Sequence, residues 1–299
     1  MSSAMTSTSS IFGGAAEPEV RPDFARNAEL PSGAFTAEQA GTWLARLVPQ
    51  DADQRLRTIP GRETSRVEWE GRPLVIKRLA TDSFRERWYD RLHSHAGRTP
   101  GQREFDNLVE LRKLGFPVPA PLLWARDSTG RSVVAMEHVA HDEDLSQRLA
   151  RADPKERSEW EARLAMMVAM LHRSGFYHRD LYHSHFVLRP GTDELVLLDL
   201  GRARQERRPR TRWFVKDLAA LEHSRPYEVT DGHRLDFLSH YLGCLISPEL
   251  GEVARVGDRE LRAFANAVSR KARRLAAHRP KFSDTETFRP SPAGEGSTP

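Results

Sequence analysis

Two aspartates that flank one short hairpin constrain this chain more than any other feature of its sequence. Asp180 ends the tripeptide HRD, and Asp199 ends the apolar run LVLLD. Between them, the short apolar runs 186–188 and 194–200 read as two strands joined by the turn RPGTD. Because one short hairpin brings both carboxylates to the same edge, the sequence predicts a single acidic site there.

The chain before residue 140 is predicted to be rich in strands. Alternating or apolar runs bounded by turn residues predict strands over 65–69, 73–79, 121–126 and 132–139. Apolar residues at helical spacing predict a helix over 101–116, with Phe105, Leu108, Leu111 and Leu114 on one face. The same spacing predicts an earlier helix over 36–48.

The chain after residue 140 is predicted to be mainly helical. Apolar stripes predict helices over 157–175, 213–224, 232–246 and 257–278. A β-rich half followed by a helical half favours two lobes with a cleft between them. The predicted organisation is a disordered leader over 1–30, an N-lobe over 31–139, a C-lobe over 140–282 and a disordered tail over 283–299.

Composition narrows the class of protein without choosing a function. No apolar run is long enough to span a membrane, the N-terminus makes a poor signal peptide, and the single Cys244 fits a reducing cytoplasm. We therefore expect a cytoplasmic protein. The net charge of +4 indicates an acidic partner, which could be a nucleotide, nucleic acid, anionic lipid or phosphorylated sugar.

Phosphoryl transfer from ATP needs a cation on the phosphates, a carboxylate that holds Mg²⁺ and a base that faces the acceptor hydroxyl. The chain offers Lys77, Asp199 and Asp180 for these parts, in the order that a kinase-type chain requires. A buried ammonium needs an acidic partner. Glu104 on the following predicted helix is the favoured partner, and Glu110 is its rival.

Three departures from the protein-kinase pattern bear on the site. His185 stands five positions after Asp180, where protein kinases place a metal-binding asparagine. Mg²⁺ prefers oxygen ligands, so the sequence predicts a firm metal site at Asp199 and leaves the part of His185 open. No glycine-rich loop precedes Lys77. The polar stretch 59–69 offers side-chain donors in its place, or is simply a polar hairpin. No A-P-E segment follows Asp199, so we expect no protein-substrate activation loop.

With these residues in place, the chain resembles the lipopolysaccharide core kinases, and most closely the heptose kinase group. The resemblance covers about residues 55–245 and rests on VIKRL, REFDNLVELRKLGFPVPAP, MEHV, LHRSGFYHRDLYHSHFVL, LLDLGRAR and KDLAAL. A histidine in place of the loop asparagine is familiar in that group. The resemblance implies an α+β, two-lobed protein-kinase-like fold, with a small β-rich N-lobe that binds the nucleotide and a larger helical C-lobe that carries the catalytic loop.

The resemblance also implies roles for individual residues. Met136 would border the adenine pocket, and the backbone of Glu137 and Val139 would bind the adenine edge. Asp217 would brace the catalytic loop, unless it is simply a carboxylate near a helix N-terminus. Arg202 would touch phosphate or acceptor. The candidate residues are Asp180 and Lys77 for catalysis; Lys77, Glu104, Met136, Glu137, Val139 and Asp199 for ATP; and Asp199 and His185 for Mg²⁺.

The implied reaction is ATP-dependent phosphorylation of a sugar hydroxyl, with heptose of the lipopolysaccharide inner core as the expected acceptor. Alternatives are a Kdo or small-molecule kinase of the same fold and an inactive kinase-like module that binds lipid or protein. A nucleic-acid partner is not expected, because no recognised motif accompanies the charge. Basic residues over 204–212 and in the last predicted helix would contact the anionic inner-membrane surface, although that helix more often packs on its own domain.

Overall fold

The computed structural model describes residues 55–69, 71–82, 97–126, 130–207, 210–247 and 254–277. The predicted leader, the predicted helix over 36–48 and the predicted tail lie outside these residues. The described chain combines helices with antiparallel sheets and divides into two compact units. The second unit takes in Leu114–Val118 and the residues from Val139 onward, and the first holds the remainder. The α+β class is thereby confirmed.

The first unit is built on a five-stranded antiparallel sheet in the order β1-β2-β3-β5-β4. Its strands are β1 (Arg55–Ile59), β2 (Arg62–Trp69), β3 (Arg72–Leu79), β4 (Pro121–Arg126) and β5 (Ser132–Glu137). Leu74 and Ile76 of β3 are buried with Val133 and Ala135 of β5 in one apolar cluster. Lys77 pairs with β2 on one side and with β5 on the other, so it lies in the middle of the sheet.

One helix of the first unit, α1 (Pro100–Lys113), packs on β4 and β5. Gly101 allows a close approach, since its N–H donates to Ser132 Oγ at 2.9 Å and a Cβ there would lie 3.0 Å from the Val133 carbonyl. The prediction that Leu114 shares one helix face with Phe105, Leu108 and Leu111 is wrong. The helix ends at Lys113, one residue before Leu114, and the Leu114 side chain is 48% exposed.

The described part of the second unit contains helices and two small antiparallel sheets. Its helices are α2 (Leu145–Arg151), α3 (Pro154–Arg173), α4 (Thr211–His223), α5 (Asp231–Ile246) and α6 (Asp258–Ala276). In one sheet, β6 (Phe176–Tyr177) pairs with the distant β9 (Arg204–Gln205), and in the other, β7 (Phe186–Leu188) and β8 (Leu195–Leu197) form a hairpin. Helix α3 packs on α5, and α4 packs on α6.

Local capping explains where α3 begins. The Asp153 side chain accepts hydrogen bonds from the backbone of Lys155 and Glu156, and Pro154 occupies the first helical turn. Both features favour a helix start. The predicted start at residue 157 was too late because it followed the apolar stripe alone.

The last helix packs on its own unit, which is the alternative that the sequence favoured. Ala265, Val268 and Ala272 of α6 are buried, and the helix contacts α4 and α5.

The prediction that Arg204 faces an anionic surface is wrong. Arg204 is 2% exposed, and its guanidinium donates to the Ala203 carbonyl at 2.9 Å. Within the described residues, no helix combines the length and apolarity needed to cross a bilayer.

Gly175, between α3 and β6, is expected to be a sensitive backbone position. Its φ is +85°, and a Cβ there would lie 2.5 Å from the Glu206 carbonyl oxygen. We expect Gly175→Ala to lower the free energy of unfolding by about 3 kcal/mol, because backbone strain and a backbone clash add together. Gly191→Ala is the matched control, with φ +71° and no neighbour within 4 Å, and should cost about 1 kcal/mol. Equal urea midpoints for the two variants would contradict this account.

Glu161 of α3 is expected to make stability depend on pH. It is 6% exposed, and burial raises its pKa to about 7, with Arg157 acting in the opposite direction. An acid whose pKa is raised in the folded state contributes stability below its unfolded pKa of about 4.3, and that contribution is lost as pH rises through about 7. Glu161→Gln should therefore raise the free energy of unfolding by about 2 kcal/mol at pH 8 and change it little at pH 4. Denaturant titrations that give the same difference at both pH values would exclude this role.

Candidate active site

Lys77 forms a buried ion pair with the acid that the sequence favoured. Its Nζ lies 2.5 Å from Glu104 Oε1, and the two residues are 6% and 1% exposed. Glu104 Oε2 is buried without a hydrogen-bond partner among the described residues. The rival Glu110 is exposed and pairs with Lys113 instead. Strand β3 and helix α1 thus hold one cation and one carboxylate together inside the first unit.

The position of Glu104 depends on how α1 is anchored. The Arg103 guanidinium donates to both carboxylate oxygens of Asp82, at 2.7 and 3.0 Å, and both side chains are nearly buried. Asp82 follows β3 closely in the chain, so this fork ties the helix to the strand that carries Lys77. A forked arginine contact fixes orientation as well as distance.

The polar hairpin of β1 and β2 uses several of its donors within the sheet. Ser65 Oγ donates to Glu63, and Arg66 pairs with Glu68 at 2.9 Å. Glu63 also pairs with Arg78 at 2.8 Å. These contacts favour the simpler interpretation of 59–69, that of a polar hairpin.

Some backbone groups of the predicted adenine-binding residues form hydrogen bonds within the protein. Met136 is buried in β5, and the Glu137 N–H donates to the Ala120 carbonyl at 2.8 Å. In the second unit, Val139 is 4% exposed, and its carbonyl accepts a hydrogen bond from His141 Nδ1 at 2.8 Å. Recognition of the adenine edge by Glu137 and Val139 stays a prediction.

The loop that carries Asp180 is held in a strained conformation by Asp217. Arg179 has a φ of +76°, which is uncommon for a residue with a side chain. The Arg179 and His178 backbone N–H groups donate to the Asp217 carboxylate at 2.7 and 2.5 Å. Asp217 is fully buried in the middle of α4, so it is not a helix N-terminal carboxylate. It braces the loop as the resemblance implied.

A second layer of contacts fixes Asp217, and no local sequence pattern predicts it. His172 Nε2 lies 3.3 Å from Asp217 Oδ2, and its Nδ1 lies 2.7 Å from the Tyr241 hydroxyl. Burial raises the pKa of Tyr241 well above its ordinary value, so the hydroxyl keeps its proton and donates to Nδ1. That assignment leaves the Nε2–H of His172 to donate to Asp217. His172 also stacks on Phe214, at 4.2 Å between ring centroids.

Asp180 forms an ion pair in this structure. Arg202 Nη1 lies 3.0 and 2.8 Å from its two carboxylate oxygens. The Arg202 side chain is 51% exposed and the Asp180 side chain 26% exposed. The sequence placed Arg202 on phosphate or acceptor, whereas the structure places it on the carboxylate predicted to face the acceptor.

His185 connects the two aspartates of the hairpin. Its Nδ1 lies 2.8 Å from the Asp180 carbonyl oxygen, and its Nε2 lies 3.9 Å from Asp199 Oδ2. Burial lowers the pKa of His185 to about 4, so the ring is neutral near pH 7. The Nδ1–H donates to the carbonyl, and the Nε2 lone pair is therefore directed at the side of the Asp199 carboxylate.

Two lone-pair groups that face each other fit a shared divalent cation, so Asp199 and His185 suit the Mg²⁺ that the sequence predicted there. Asp199 lies in a left-handed conformation with φ +56°. The strand predicted to end at this residue stops at Leu197, because the chain then turns out of the hairpin. The described ranges hold no group of three or more His, Cys, Asp or Glu side chains arranged for a metal ion.

Comparisons with known proteins relate the chain to one family of kinases. The family model described as "Lipopolysaccharide kinase (Kdo/WaaP) family" matches residues 48–241. The 3-deoxy-D-manno-octulosonic acid kinase of Xanthomonas axonopodis pv. citri is 33% identical over 132 residues, which are 43% of this chain and 51% of that protein. The lipopolysaccharide core heptose(I) kinase WaaP of Pseudomonas aeruginosa is 29% identical over 204 residues, which are 62% of this chain and 75% of that protein.

Among solved structures, WaaP in complex with acyl carrier protein is similar, with a TM-score of 0.56 and 26% identity. The match covers 74% of this chain and 88% of that one, so the fold is protein-kinase-like. The chain spans about half the length of the Kdo kinases that it matches. The family model covers well over half of the present chain, and the chain belongs to the lipopolysaccharide kinase (Kdo/WaaP) family.

Proposed function

We propose that this protein transfers the γ-phosphoryl group of ATP to a hydroxyl of a lipopolysaccharide inner-core sugar. The observation that carries the proposal is the loop at Asp180. The buried acid Asp217 holds the backbone of this loop in a strained turn. His185 lies between the loop and Asp199, with one ring nitrogen near the Asp180 carbonyl and the other near the Asp199 carboxylate. Strain of this kind costs about 1–3 kcal/mol and is typical of catalytic loops. Membership of a kinase family supports the same conclusion.

Each working residue has one role in this reaction. Lys77, oriented by Glu104, binds the nucleotide phosphates. Asp199 and His185 would hold Mg²⁺, which supplies charge neutralisation at the phosphates when it is bound. Asp180 orients the acceptor hydroxyl and accepts its proton, once Arg202 has released the carboxylate.

The adenine base would be bound by backbone groups, as the resemblance implies. The Glu137 N–H and the Val139 carbonyl are already engaged within the protein. We assign the backbone of Glu137 and Val139 to the adenine edge, with Met136 bordering the ring, as the resemblance implies.

The acceptor is either heptose or Kdo, and both belong to the inner core. The sequence resemblance favoured heptose, and the match to the heptose(I) kinase extends over 204 residues. Kdo is the second candidate, because the Kdo kinases are more similar in identity, at 33–34% over shorter stretches. The two acceptors differ in charge, since Kdo carries a carboxylate and heptose does not.

We also propose that the protein works at an anionic surface of the inner membrane, on its cytoplasmic side. Three apolar residues of α6, Ala265, Val268 and Ala272, are buried. Five of its arginines are exposed: Arg259, Arg262, Arg270, Arg273 and Arg274. Binding would thus be electrostatic and without insertion of the helix. Since WaaP is known in complex with acyl carrier protein, a protein partner of that kind is the other candidate for this surface. Binding to anionic vesicles that persists in high salt would contradict the electrostatic model.

Mass spectrometry of purified acceptors tests the proposed reaction. The protein is incubated with ATP and Mg²⁺ and, in separate arms, with a Kdo-terminated and a heptose-terminated lipopolysaccharide precursor. We expect one acceptor to gain one phosphate and the other to remain unchanged. Binding of ATP with no phosphate gained by either sugar would favour the inactive kinase-like module instead.

A further inference from the structure

A buried acid of the second unit has no direct partner within the part of the chain that the structure describes. Glu161 of α3 is more than nine-tenths buried, and no hydrogen bond or ion pair joins its carboxylate to any described residue. A carboxylate that is removed from water without a partner costs free energy. Buried acids of this kind cluster at sites that bind a ligand or carry out chemistry.

The cations that act on Glu161 are committed to other groups. The Arg157 guanidinium donates to two backbone carbonyls, at 2.9 and 2.8 Å. Arg225 lies 3.3 Å from the Asp231 carboxylate. Both arginines act on Glu161 through their charge alone, without a hydrogen bond to it. The Glu161 carboxylate is therefore left for a donor from outside these side chains.

Glu161 lines a pocket whose walls all belong to the second unit. The apolar part of the wall includes Leu164 of the same helix, Leu221 of α4 and Phe237 of α5. The pocket is partly open to solvent, and its volume of about 30 Å³ admits one or two groups of the size of a water molecule. Apolar walls around one carboxylate fit the end of a small organic cation.

The other polar groups of the pocket are paired with neighbours. Arg234 lies 3.6 Å from Glu222. His183 Nδ1 lies 3.0 Å from the Ser224 hydroxyl, and burial lowers the pKa of this ring to about 4, so it is neutral near pH 7. Among the described residues that line the pocket, Glu161 is thus the charged group that lacks a counter-ion at contact distance.

We propose that this pocket binds the –CH₂–NH₃⁺ end of a small primary amine. The ammonium donates hydrogen bonds to the Glu161 carboxylate, and the methylene group contacts the leucines of the wall. Hydrogen bonds between charged groups are about twice as strong as neutral ones, and apolar walls strengthen them further. A quaternary ammonium has no N–H to donate and is too large for the enclosed space.

The amine pocket is distinct from the site assigned to phosphoryl transfer, because neither Asp180 nor Asp199 lines it. One part of its wall, however, is His183, which follows Asp180 by three positions. The His183 N–H donates to the Ser224 hydroxyl at 3.1 Å, directly after the helix that carries Asp217. An amine in the pocket therefore lies against the segment that continues from the Asp180 loop.

Thermal unfolding tests the site with ethylammonium chloride as the probe. The full chain is measured in amine-free phosphate buffer at pH 8, with sodium chloride at equal ionic strength as the reference. The Tm of wild type should rise saturably with ethylammonium, as it does when a ligand binds the folded state. Glu161→Gln should bind roughly 10- to 100-fold more weakly, as the loss of a charge-assisted hydrogen bond implies. Glu159→Gln, an exposed acid of the same helix, is the matched control and should bind as wild type does.

Two further arms test how the ligand is recognised. Tetramethylammonium chloride and ethanol should not raise the Tm of wild type beyond their effect on Glu161→Gln. The effect of ethylammonium should shrink at pH 5.5, because burial raises the pKa of Glu161 to about 7 and the protonated acid carries no charge. Since Glu161→Gln is expected to be more stable than wild type without the probe, a loss of binding in this variant does not reflect unfolding.

The inference is overturned if ethylammonium stabilises wild type no more than sodium chloride does. It is also overturned if Glu161→Gln gains as much as wild type, or if tetramethylammonium acts as well as ethylammonium. Phosphoryl transfer is not measured in any arm, so these results leave the proposed function as it stands.

Discussion

Asp180→Asn is expected to lower kcat by about 10³-fold while leaving the KM for ATP nearly unchanged. Asparagine has nearly the same shape, and its side-chain oxygen can still accept a hydrogen bond from Arg202, so the loop should keep its conformation. The amide cannot take the proton of the sugar hydroxyl. The loss should therefore appear in the chemical step, and it is measured by steady-state kinetics with saturating acceptor.

The control for this variant is Asp193→Asn, which removes an exposed acid from the turn of the neighbouring hairpin. It should keep wild-type turnover. Thermal unfolding of both variants should lie close to that of wild type. An Asp180→Asn protein that retains more than about a tenth of the wild-type kcat would remove Asp180 from the role of base.

Asp217→Asn is expected to be damaging in two separate ways. The amide group presents two N–H donors in place of one acceptor oxygen, although the site supplies backbone donors from His178 and Arg179 and a side-chain donor from His172. A buried polar group left unsatisfied costs about 1–3 kcal/mol, so the free energy of unfolding should fall by about 3 kcal/mol or more. The Arg179 turn then relaxes, because nothing opposes its strain.

Relaxation of that turn moves Asp180, so kcat should fall by about 10²-fold even at temperatures where the variant is folded. The KM for ATP is measured alongside, and it should stay near the wild-type value, because Lys77 and its partner lie in the first unit. Asp258→Asn, at the exposed start of α6, is the matched control. A variant that is destabilised but has wild-type kcat at low temperature would reduce Asp217 to a purely structural residue.

The elements that carry Lys77, Glu104, Asp180 and Asp199 could be predicted because each is marked by a pattern within a short stretch of sequence. The hairpin between Asp180 and Asp199 is visible as two apolar runs and a turn, and the strand carrying Lys77 is visible as an apolar run. Glu104 follows from the periodicity of its helix, which buries one face. Each of these needs only a short stretch of chain to be recognised.

The parts that the sequence could not predict depend on distant segments. Tyr241 contacts His172 across 69 positions, and no local sequence pattern joins the two residues. Arg202 was expected near the site, but its choice of Asp180 follows from how the chain turns after β8. Strand β1 was missed because three of its five residues are exposed and its two apolar residues, Leu56 and Ile59, do not alternate along the strand. Burial of Arg204 among backbone carbonyls is likewise a product of the folded loop.

Titration of ATP into wild type, Asp180→Asn and Asp199→Asn, each with and without Mg²⁺, tests the central claim most directly. The claim is that Asp199 binds the metal and that Asp180 orients the acceptor hydroxyl and accepts its proton. We predict that Mg²⁺ strengthens ATP binding to wild type and to Asp180→Asn by the same factor, and has little effect on Asp199→Asn. An Asp199→Asn protein that keeps the full Mg²⁺ effect, or an Asp180→Asn protein that loses it, would contradict the account.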